Sequence, residues 1–356
     1  MGNNSTFKVF ILSGLQDSGV YKPLYFLLVF VLYILIIVVN LTLIFIVTVD
    51  KSLHEPMYIF ICHLCANGLY GTVGFYPKLL LDLQSDVHMI SYSWCLIQTY
   101  VIYSSALCEM TVLTVMSYDR YVAICRPLQY HNILTPHAVL KLLVLAWACP
   151  LLSAATVIIF TSRISICGYH IYKLFCDNAS MVMLGCYRAI ANQAWSMVVI
   201  SVYLIQFILI LISYAVIVQV CISSTEGRAK FSKTCVPHIM VMVIYSVTVL
   251  FDLFYSWGGS VNLPIVVRNA LAIQFLILPP LLNPIIYGLQ LPQIRKRLAH
   301  IATLTPQASN LLLPVDPTPE YDKLLLHTVC DAFGLRHFTP EEIDFFHKFL
   351  SVIGSL

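Results

Sequence analysis

Charged residues are scarce in this sequence. They make up 10% of its 356 residues, while 59% of the residues are hydrophobic. Soluble domains carry about 25% charged residues, so this scarcity excludes an ordinary soluble domain and indicates a protein embedded mostly in lipid. The formal net charge is only +3 and the basic residues are scattered, which argues against a nucleic-acid-binding surface.

Features of several other protein classes are also missing. The N-terminal arm, residues 1–23, lacks a charged segment followed by an apolar run and a cleavage site, so we expect no removable signal peptide. The sequence shows no set of nucleophile, base or metal ligands that would converge on one site, which argues against an enzyme and against any cofactor. A transporter would require inverted repeats and paired intramembrane charges, and neither is found. Cys62, His63 and Cys65 cluster, but no matching half completes a metal site.

Seven apolar runs are each long enough to cross a bilayer, which takes about 20 helical residues. A helix satisfies its own backbone hydrogen bonds in lipid. The sequence therefore predicts an all-α membrane protein, a bundle of seven transmembrane helices within residues 24–290. The predicted spans are Leu24–Val49, Met57–Leu81, Cys95–Ile124, Val139–Thr161, Asn192–Ile222, Val236–Trp257 and Pro264–Leu289.

Lysine and arginine near the ends of the runs predict the orientation, because cytoplasmic loops are enriched in these residues. One side carries ten of them: Lys51, Arg120, Arg126, Lys141, Arg228, Lys230, Lys233, Arg295, Lys296 and Arg297. The opposite side carries seven: Lys8, Lys22, Lys78, Arg163, Lys173, Arg188 and Arg268. This modest bias places the amino terminus outside the cell and Arg120 in the cytoplasm.

The N-terminal arm matches two modification patterns that require opposite sides of the membrane. Asn3 and Asn4 begin overlapping N-glycosylation sequons, whereas Met1-Gly2 with Thr6 matches the myristoylation pattern. The predicted orientation favours glycosylation of Asn3 or Asn4. Asn178 begins a further sequon on the same outer side.

A charged pair marks the inner end of the third span. The stretch from Met116 to Tyr130 reads MSYDRYVAICRPLQY, so Asp119 and Arg120 lie where a long apolar helix ends. An arginine there must be paired or must reach the membrane edge. Asp119 supplies a local partner, and the pair can be held closed and later opened. An ordinary charged cap on a membrane helix would show the same two residues.

Taken together, these fifteen residues resemble the olfactory receptors, a branch of the rhodopsin-like G-protein-coupled receptors. The usual form in that family is MAYDRYVAICxPLxY, from which this sequence departs at one fixed position, Ser117. Other matches extend the resemblance over about residues 1–300. They are Leu53–Tyr58 (family LHxPMY), Pro77-Lys78 (PK), Ser213-Tyr214 (SY), Lys233–Cys235 with His238 (TCxSH, with Pro237 replacing Ser) and Pro280–Tyr287 (PMLNPxIY).

The resemblance implies a switch for G-protein activation at the inner ends of the helices. Pro284 removes a backbone hydrogen bond, so the seventh helix can bend there, and Asn283 can satisfy the freed groups. The hydroxyls of Tyr214 and Tyr287 could bond to Arg120 once its acid partner releases it. Alternatively, both tyrosines are interfacial belt residues. The implied switch residues are Asp119, Arg120, Tyr121, Tyr214, Asn283, Pro284 and Tyr287.

Four cysteines lie on the predicted outer side: Cys95, Cys167, Cys176 and Cys186. An oxidising exterior favours disulfides, but spacing alone leaves three pairings open. The resemblance implies that Cys95 pairs with Cys176, tying the second outer loop to the third helix, and that Cys167 pairs with Cys186 within the loop.

Two features depart from the family pattern. Gly68 stands where the second helix of these receptors usually carries an aspartate, so a cation site that needs a carboxylate there besides Glu109 is doubtful. After a predicted amphipathic helix on the membrane surface, residues 291–303, the chain continues into a cytoplasmic tail, residues 304–356. Prolines predict a linker there, and Ile343–Ile353 predicts a short amphipathic helix; the alternative is a weakly ordered extension.

We expect the ligand site in the outer half of the bundle, between the third, fifth and sixth helices, because bundles bind small molecules between helices. Most predicted lining residues are apolar or bear hydroxyls, which suits small volatile or sparingly soluble molecules. The exception is Asp252, which either meets a cationic or hydrogen-bonding part of the ligand or pairs with a cation such as Arg268. The predicted residues are Ile102, Tyr103, Ala106, Leu107, Tyr245, Val249 and Asp252.

These features predict a multi-pass plasma-membrane receptor of the odorant type. The resemblance implies that it binds a small odorant molecule and activates a heterotrimeric G protein, by analogy the type that raises cAMP. The first alternative is a non-olfactory receptor for small molecules within the rhodopsin-like class. The alternative from another class is a membrane transporter.

Overall fold

The computed structural model describes residues 9–15, 21–222, 231, 235–258, 265–291 and 293–296. Seven long helices dominate this part of the chain, and each is long and apolar enough to cross a membrane. The predicted seven-helix class is therefore confirmed. We number these helices α1 Lys22–Val49, α2 Pro56–Gln84, α3 Tyr92–Cys125, α4 Pro136–Ser162, α5 Ile190–Ile222, α6 Val236–Gly258 and α7 Ile265–Gln290.

Local sequence signals explain where the helices begin. Pro56 and Pro136 occupy the first positions of α2 and α4, where the missing N–H of proline costs no helical hydrogen bond. The side chain of Ser91 caps α3 by accepting a bond from the backbone N–H of Trp94. Thr135 caps α4 in the same way. Such capping satisfies N–H groups that have no partner within the helix.

The third helix occupies the middle of the bundle. In an apolar 18-residue stretch of α3, 61% of the residues are buried, whereas the corresponding share is 17% in both α1 and α4. The outer helices instead expose large apolar side chains, such as Leu28 and Phe45 of α1. Lipid rather than water suits such a surface. A central α3 can therefore contact both a ligand cavity and the inner surface of the bundle.

A small three-stranded sheet covers the outer end of α3. Its middle strand is β1 Val9–Leu12, which pairs antiparallel with β2 Met89–Ser91 and parallel with β3 His170–Ile171. From the sequence we expected an N-terminal arm over residues 1–23 and no strand within it. The strand forms because Phe10 and Leu12 point inward and are buried against the second outer loop.

The second outer loop is tied down by two disulfides. Cys95 in α3 is joined to Cys176, and Cys167 is joined to Cys186, the pairing that the resemblance implied. Between them lies a short helix, Asn178–Met183. Its cap, Asp177, accepts a bond from the backbone N–H of Ser180 and pairs with Lys173 at 2.7 Å.

Several sequence predictions fall outside the described residues. These include the sequons at Asn3 and Asn4 and the whole tail, residues 304–356. Of the predicted surface helix, the structure describes one helical turn, residues 293–296, with Ile294 buried against the inner core. The proposed division of the chain after residue 303 remains a prediction.

Candidate ligand cavity and inner switch

A cavity lies in the outer half of the bundle. It is bounded mainly by α3, α4, α5 and α6, with Phe275 from α7 and two residues from the second outer loop. It contains about 1340 Å³ of space free of protein atoms, a figure that includes its open mouth. Its described walls are mostly aliphatic and aromatic, which is typical of sites for small apolar molecules.

Six of the seven predicted ligand residues line this cavity. The seventh, Ile102, is fully buried and packs instead with Phe75 and Phe275 on the side of α2 and α7. Neighbouring residues on a helix point about 100° apart, so Ile102 faces α2 while Tyr103 faces the cavity. The six lining residues are Tyr103, Ala106 and Leu107 on α3 and Tyr245, Val249 and Asp252 on α6.

Two contacts join α3 to α6 across the cavity. The hydroxyl of Tyr245 donates a 2.6 Å hydrogen bond to the backbone oxygen of Ala106. The hydroxyl of Tyr103 donates to Oδ2 of Asp252 at 3.4 Å, and Asp252 is only 3% exposed. The side chain of Arg268 lies outside the described residues, so its pairing with Asp252 stays a prediction.

A second polar group lies in the wall formed by α4, α5 and the second outer loop. The side-chain nitrogen of Asn178 donates to Oδ1 of Asn192 at 3.1 Å and to Oγ of Ser196 at 3.2 Å. Its oxygen accepts a 2.7 Å bond from Thr161. We did not predict this Asn178 cluster, whose members are Asn178, Thr161, Asn192 and Ser196. In the sequence, Asn192 at the start of the predicted fifth span was the one indication of a polar group in this wall.

The Asn178 cluster bears on the outer sequons. Glycosylation would require the side-chain nitrogen of Asn178 to be free and exposed, but both of its hydrogens are used inside the cavity wall. The geometry therefore argues against a glycan on this asparagine.

At the inner end of α3, Asp119 and Arg120 form a closed ion pair. Nε of Arg120 donates to Oδ2 of Asp119 at 2.8 Å, and Nη2 approaches the same oxygen. The hydroxyl of Tyr130 donates to the other oxygen, Oδ1, at 2.8 Å. Asp119 is fully buried, so both partners compensate the cost of burying its charge. Tyr130 ends the sequence motif and had been given no role.

The tyrosines of the predicted switch do not bond to Arg120 in this arrangement. The hydroxyl of Tyr214 is hydrogen-bonded to Nδ1 of His238 instead. The hydroxyl of Tyr287 is buried and has no hydrogen-bond partner among the described residues. Tyr121 is half-buried and packs against the inner core. The sequence motif located His238 at the start of α6 but indicated no partner for it, because no local sequence pattern connects this residue to α5.

Farther up the bundle, Asn283 in α7 donates a 2.8 Å hydrogen bond to Oε1 of Glu109. Gly68 has no side-chain carboxylate that could share a cation with Glu109, and a methyl group at Gly68 would already touch Pro280 at 3.4 Å. Among the described residues, no group of acids, histidines or cysteines has a metal-binding arrangement. Three prolines, Pro279, Pro280 and Pro284, interrupt α7 in this region.

Comparisons with known proteins agree with this architecture. A sequence model of the family described as "Olfactory receptor" matches residues 29–304. The chain is 33% identical over 299 residues to olfactory receptor 6N1 of Homo sapiens, covering 83% of this chain and 95% of that protein. It is 32% identical over 303 residues to olfactory receptor 1E16 of Mus musculus, covering 84% and 96%. It is 35% identical over 297 residues to olfactory receptor 6K3 of Homo sapiens, covering 81% and 87%.

Proposed function

Because the chain belongs to the olfactory receptor family, we propose that it detects a small odorant molecule in the cavity between α3 and α6. Odorant binding then activates a heterotrimeric G protein of the type that raises cAMP. As a member of this family, the chain is a multi-pass G-protein-coupled receptor of the plasma membrane and not an enzyme.

The observation that carries this proposal is that α3 contributes to both ends of the mechanism. Tyr103, Ala106 and Leu107 face the cavity, and Asp119 and Arg120 lie at the inner end of the same helix. A displacement of α3 against α6 would therefore change the environment of both sites. A ligand shifts such a balance only as far as its affinities for the two arrangements differ.

The contacts across the cavity hold α3 and α6 together and must change if the two helices are displaced. The hydrogen bond from Tyr245 to Ala106 holds α6 against α3 beside the space that a ligand would occupy. A ligand that fits better when the two helices separate favours the separated arrangement. At the inner end, the pair formed by Asp119 and Arg120 then opens and presents Arg120 to the G protein.

The proposal is tested in cells that express the chain together with a stimulatory G protein. A panel of amines, acids, aldehydes, ketones and esters is applied, and cAMP is the readout. At least one compound should raise cAMP in a saturable manner, and Leu107→Trp, which fills the cavity, should abolish the response while the receptor still reaches the cell surface. A response that survives Leu107→Trp would place the ligand elsewhere. A receptor that responds only through another second messenger would contradict the proposed coupling.

A further inference from the structure

The wall of the cavity contains a buried hydroxyl whose proton has no acceptor among the described residues. Ser196 lies on α5, lines the cavity and is only 6% exposed. Its oxygen accepts a 3.2 Å hydrogen bond from the side-chain nitrogen of Asn178. A nitrogen of a carboxamide can only donate, so this bond leaves the hydroxyl proton of Ser196 unused.

No described residue accepts that proton. A buried serine in a helix commonly donates to the carbonyl oxygen four residues earlier. Other hydroxyls of the cavity do so: Thr99 donates to Cys95 at 2.8 Å and Ser246 donates to Met242 at 2.7 Å. Ser196 makes no such bond to Asn192, and the rest of the described chain offers its proton no partner.

The Asn178 cluster holds Ser196 in this position. The oxygen of the Asn178 carboxamide accepts from Thr161 at 2.7 Å, and the nitrogen of Asn192 donates to the hydroxyl of Thr161 at 2.9 Å. These bonds fix both asparagines and occupy both of their carboxamide oxygens. The cluster therefore presents the cavity with a hydrogen-bond donor and few free acceptors.

We propose that Ser196 is a ligand-binding residue whose hydroxyl donates a hydrogen bond to a carbonyl oxygen of the ligand. The preferred ligands are small, largely apolar ketones, aldehydes or esters. This inference rests on the proposed function in one respect, that the cavity is the ligand site. A buried donor without a partner is costly, and a ligand acceptor removes that cost.

The remaining walls support this class of ligand. Around Ser196 the cavity is lined by Val157, Val199 and Ile200, which suit an alkyl chain next to the carbonyl group. A carboxylate ligand fits poorly, because Asp252 lines the same cavity and no lysine or arginine is among its described lining residues. The ligand's acceptor should therefore be uncharged.

The experiment compares two series of probes that differ at one atom group. The first series consists of straight-chain 2-alkanones of graded length. The second consists of the corresponding 2-methyl-1-alkenes, in which a CH2 group replaces the carbonyl oxygen. Binding to the purified full-length receptor is measured as the ligand-dependent rise in Tm, and cAMP is recorded in cells in parallel.

Three variants separate the role of the hydroxyl from general effects. Ser196→Ala removes the donor and should weaken 2-alkanone binding about tenfold, the scale of one hydrogen bond to a buried group, while leaving alkene binding unchanged. Ser196→Thr keeps the hydroxyl and should retain the ketone preference. Ser201→Ala is the matched control, since Ser201 is exposed on the same helix and its hydroxyl is bonded to its own backbone.

Each outcome decides the inference. It is supported if wild type prefers ketones to their alkene partners and Ser196→Ala loses that preference. It is overturned if wild type shows no preference, or if Ser196→Ala keeps it. A ketone-dependent rise in Tm without any cAMP response would refute the proposed signalling and retain this inference. A cAMP response without a ketone preference would support the proposed signalling and refute the inference about Ser196.

Discussion

The hydroxyl of Tyr130 and the guanidinium of Arg120 bind opposite oxygens of the same carboxylate. Tyr130 donates to Oδ1 of Asp119 at 2.8 Å, while Arg120 occupies Oδ2. Burial, and next the neighbouring carboxylate of Asp119, raise the pKa of Tyr130 above its usual value. Its hydroxyl therefore stays protonated throughout the physiological pH range and remains a donor. Tyr130 orients the carboxylate that holds Arg120.

We expect Tyr130→Phe to raise ligand-independent cAMP. A hydrogen bond to a charged group contributes about 1.5–3 kcal/mol, so its loss weakens the arrangement in which Asp119 holds Arg120. Basal cAMP should rise several-fold at equal surface expression, and Tyr118→Phe, an exposed tyrosine of α3, should not change it. If both variants have the basal activity of wild type, Tyr130 does not stabilise the closed pair.

Arg120→Ala should abolish G-protein activation and leave surface expression largely intact. Arg120 lies at the membrane edge with 14% of its side chain exposed, so its loss removes the proposed contact for the G protein. The hydroxyl of Tyr130 still donates to Asp119 and offsets part of the cost of leaving that carboxylate without its arginine. The measurements are cAMP after addition of an agonist and receptor at the cell surface. Arg163→Ala, at the exposed outer end of α4, is the control. A normal cAMP response from Arg120→Ala would exclude this arginine from the switch.

The two disulfides should differ in their effect on stability. In the chain-entropy account a disulfide contributes more when it closes a longer loop. Cys95–Cys176 closes 81 residues and Cys167–Cys186 closes 19, which gives the first bond an advantage of about 1 kcal/mol. Surface expression should therefore fall further with Cys176→Ala than with Cys186→Ala, and Cys149→Ala, an exposed free cysteine, should have little effect. Equal losses from the two disulfide variants would contradict this ranking.

Much of the architecture was predictable because it follows from local patterns. Apolar runs of sufficient length located all seven helices, and helical spacing placed Tyr103, Tyr245 and Asp252 on one cavity. The same spacing misplaced Ile102, because a difference of one residue turns a side chain by about 100°. Which sector of α3 faces the cavity depends on how its neighbours pack, and no single helix contains that information.

Contacts between distant residues could not be predicted in this way. Strand β1 has only four residues, and its partners lie about eighty and one hundred and sixty positions farther along the chain. The bond between Tyr214 and His238 joins two helices, and the Asn178 cluster joins two helices and a loop. Each of these residues is unremarkable in its own segment. Their roles follow only from the packing that brings the segments together.

Glycosylation offers a direct test of the outer loop. We expect glycans on Asn3 or Asn4 and none on Asn178, whose side-chain nitrogen donates two hydrogen bonds within the Asn178 cluster. Enzymatic deglycosylation should lower the apparent mass of wild type and of Asn178→Gln equally. It should not change the mass of the double variant Asn3→Gln, Asn4→Gln. A residual shift in that double variant, lost on adding Asn178→Gln, would show that the loop opens before glycosylation.

Mutation of Asp252 can distinguish a structural role of this residue from a contact with the ligand. Its carboxylate lines the cavity and accepts a bond from Tyr103 at 3.4 Å, and a charge in such apolar surroundings requires compensation. We expect a structural role in which Asp252 joins α6 to its neighbours. Asp252→Asn keeps an acceptor for Tyr103 but removes the charge, so it should weaken responses to charged and neutral agonists by the same factor.

Dose–response curves for one amine and one neutral agonist provide the measurement. Tyr103→Phe is the companion variant, because it removes only the neutral donor and should produce the smaller loss. If Asp252 pairs with Arg268, exchanging the two residues should restore part of the response lost in the single variants. If Asp252→Asn instead weakened only the amine, by about 1.5–3 kcal/mol, the carboxylate would be a contact for cationic ligands. The preference for uncharged carbonyl compounds would then apply only to the opposite end of the cavity, at Ser196.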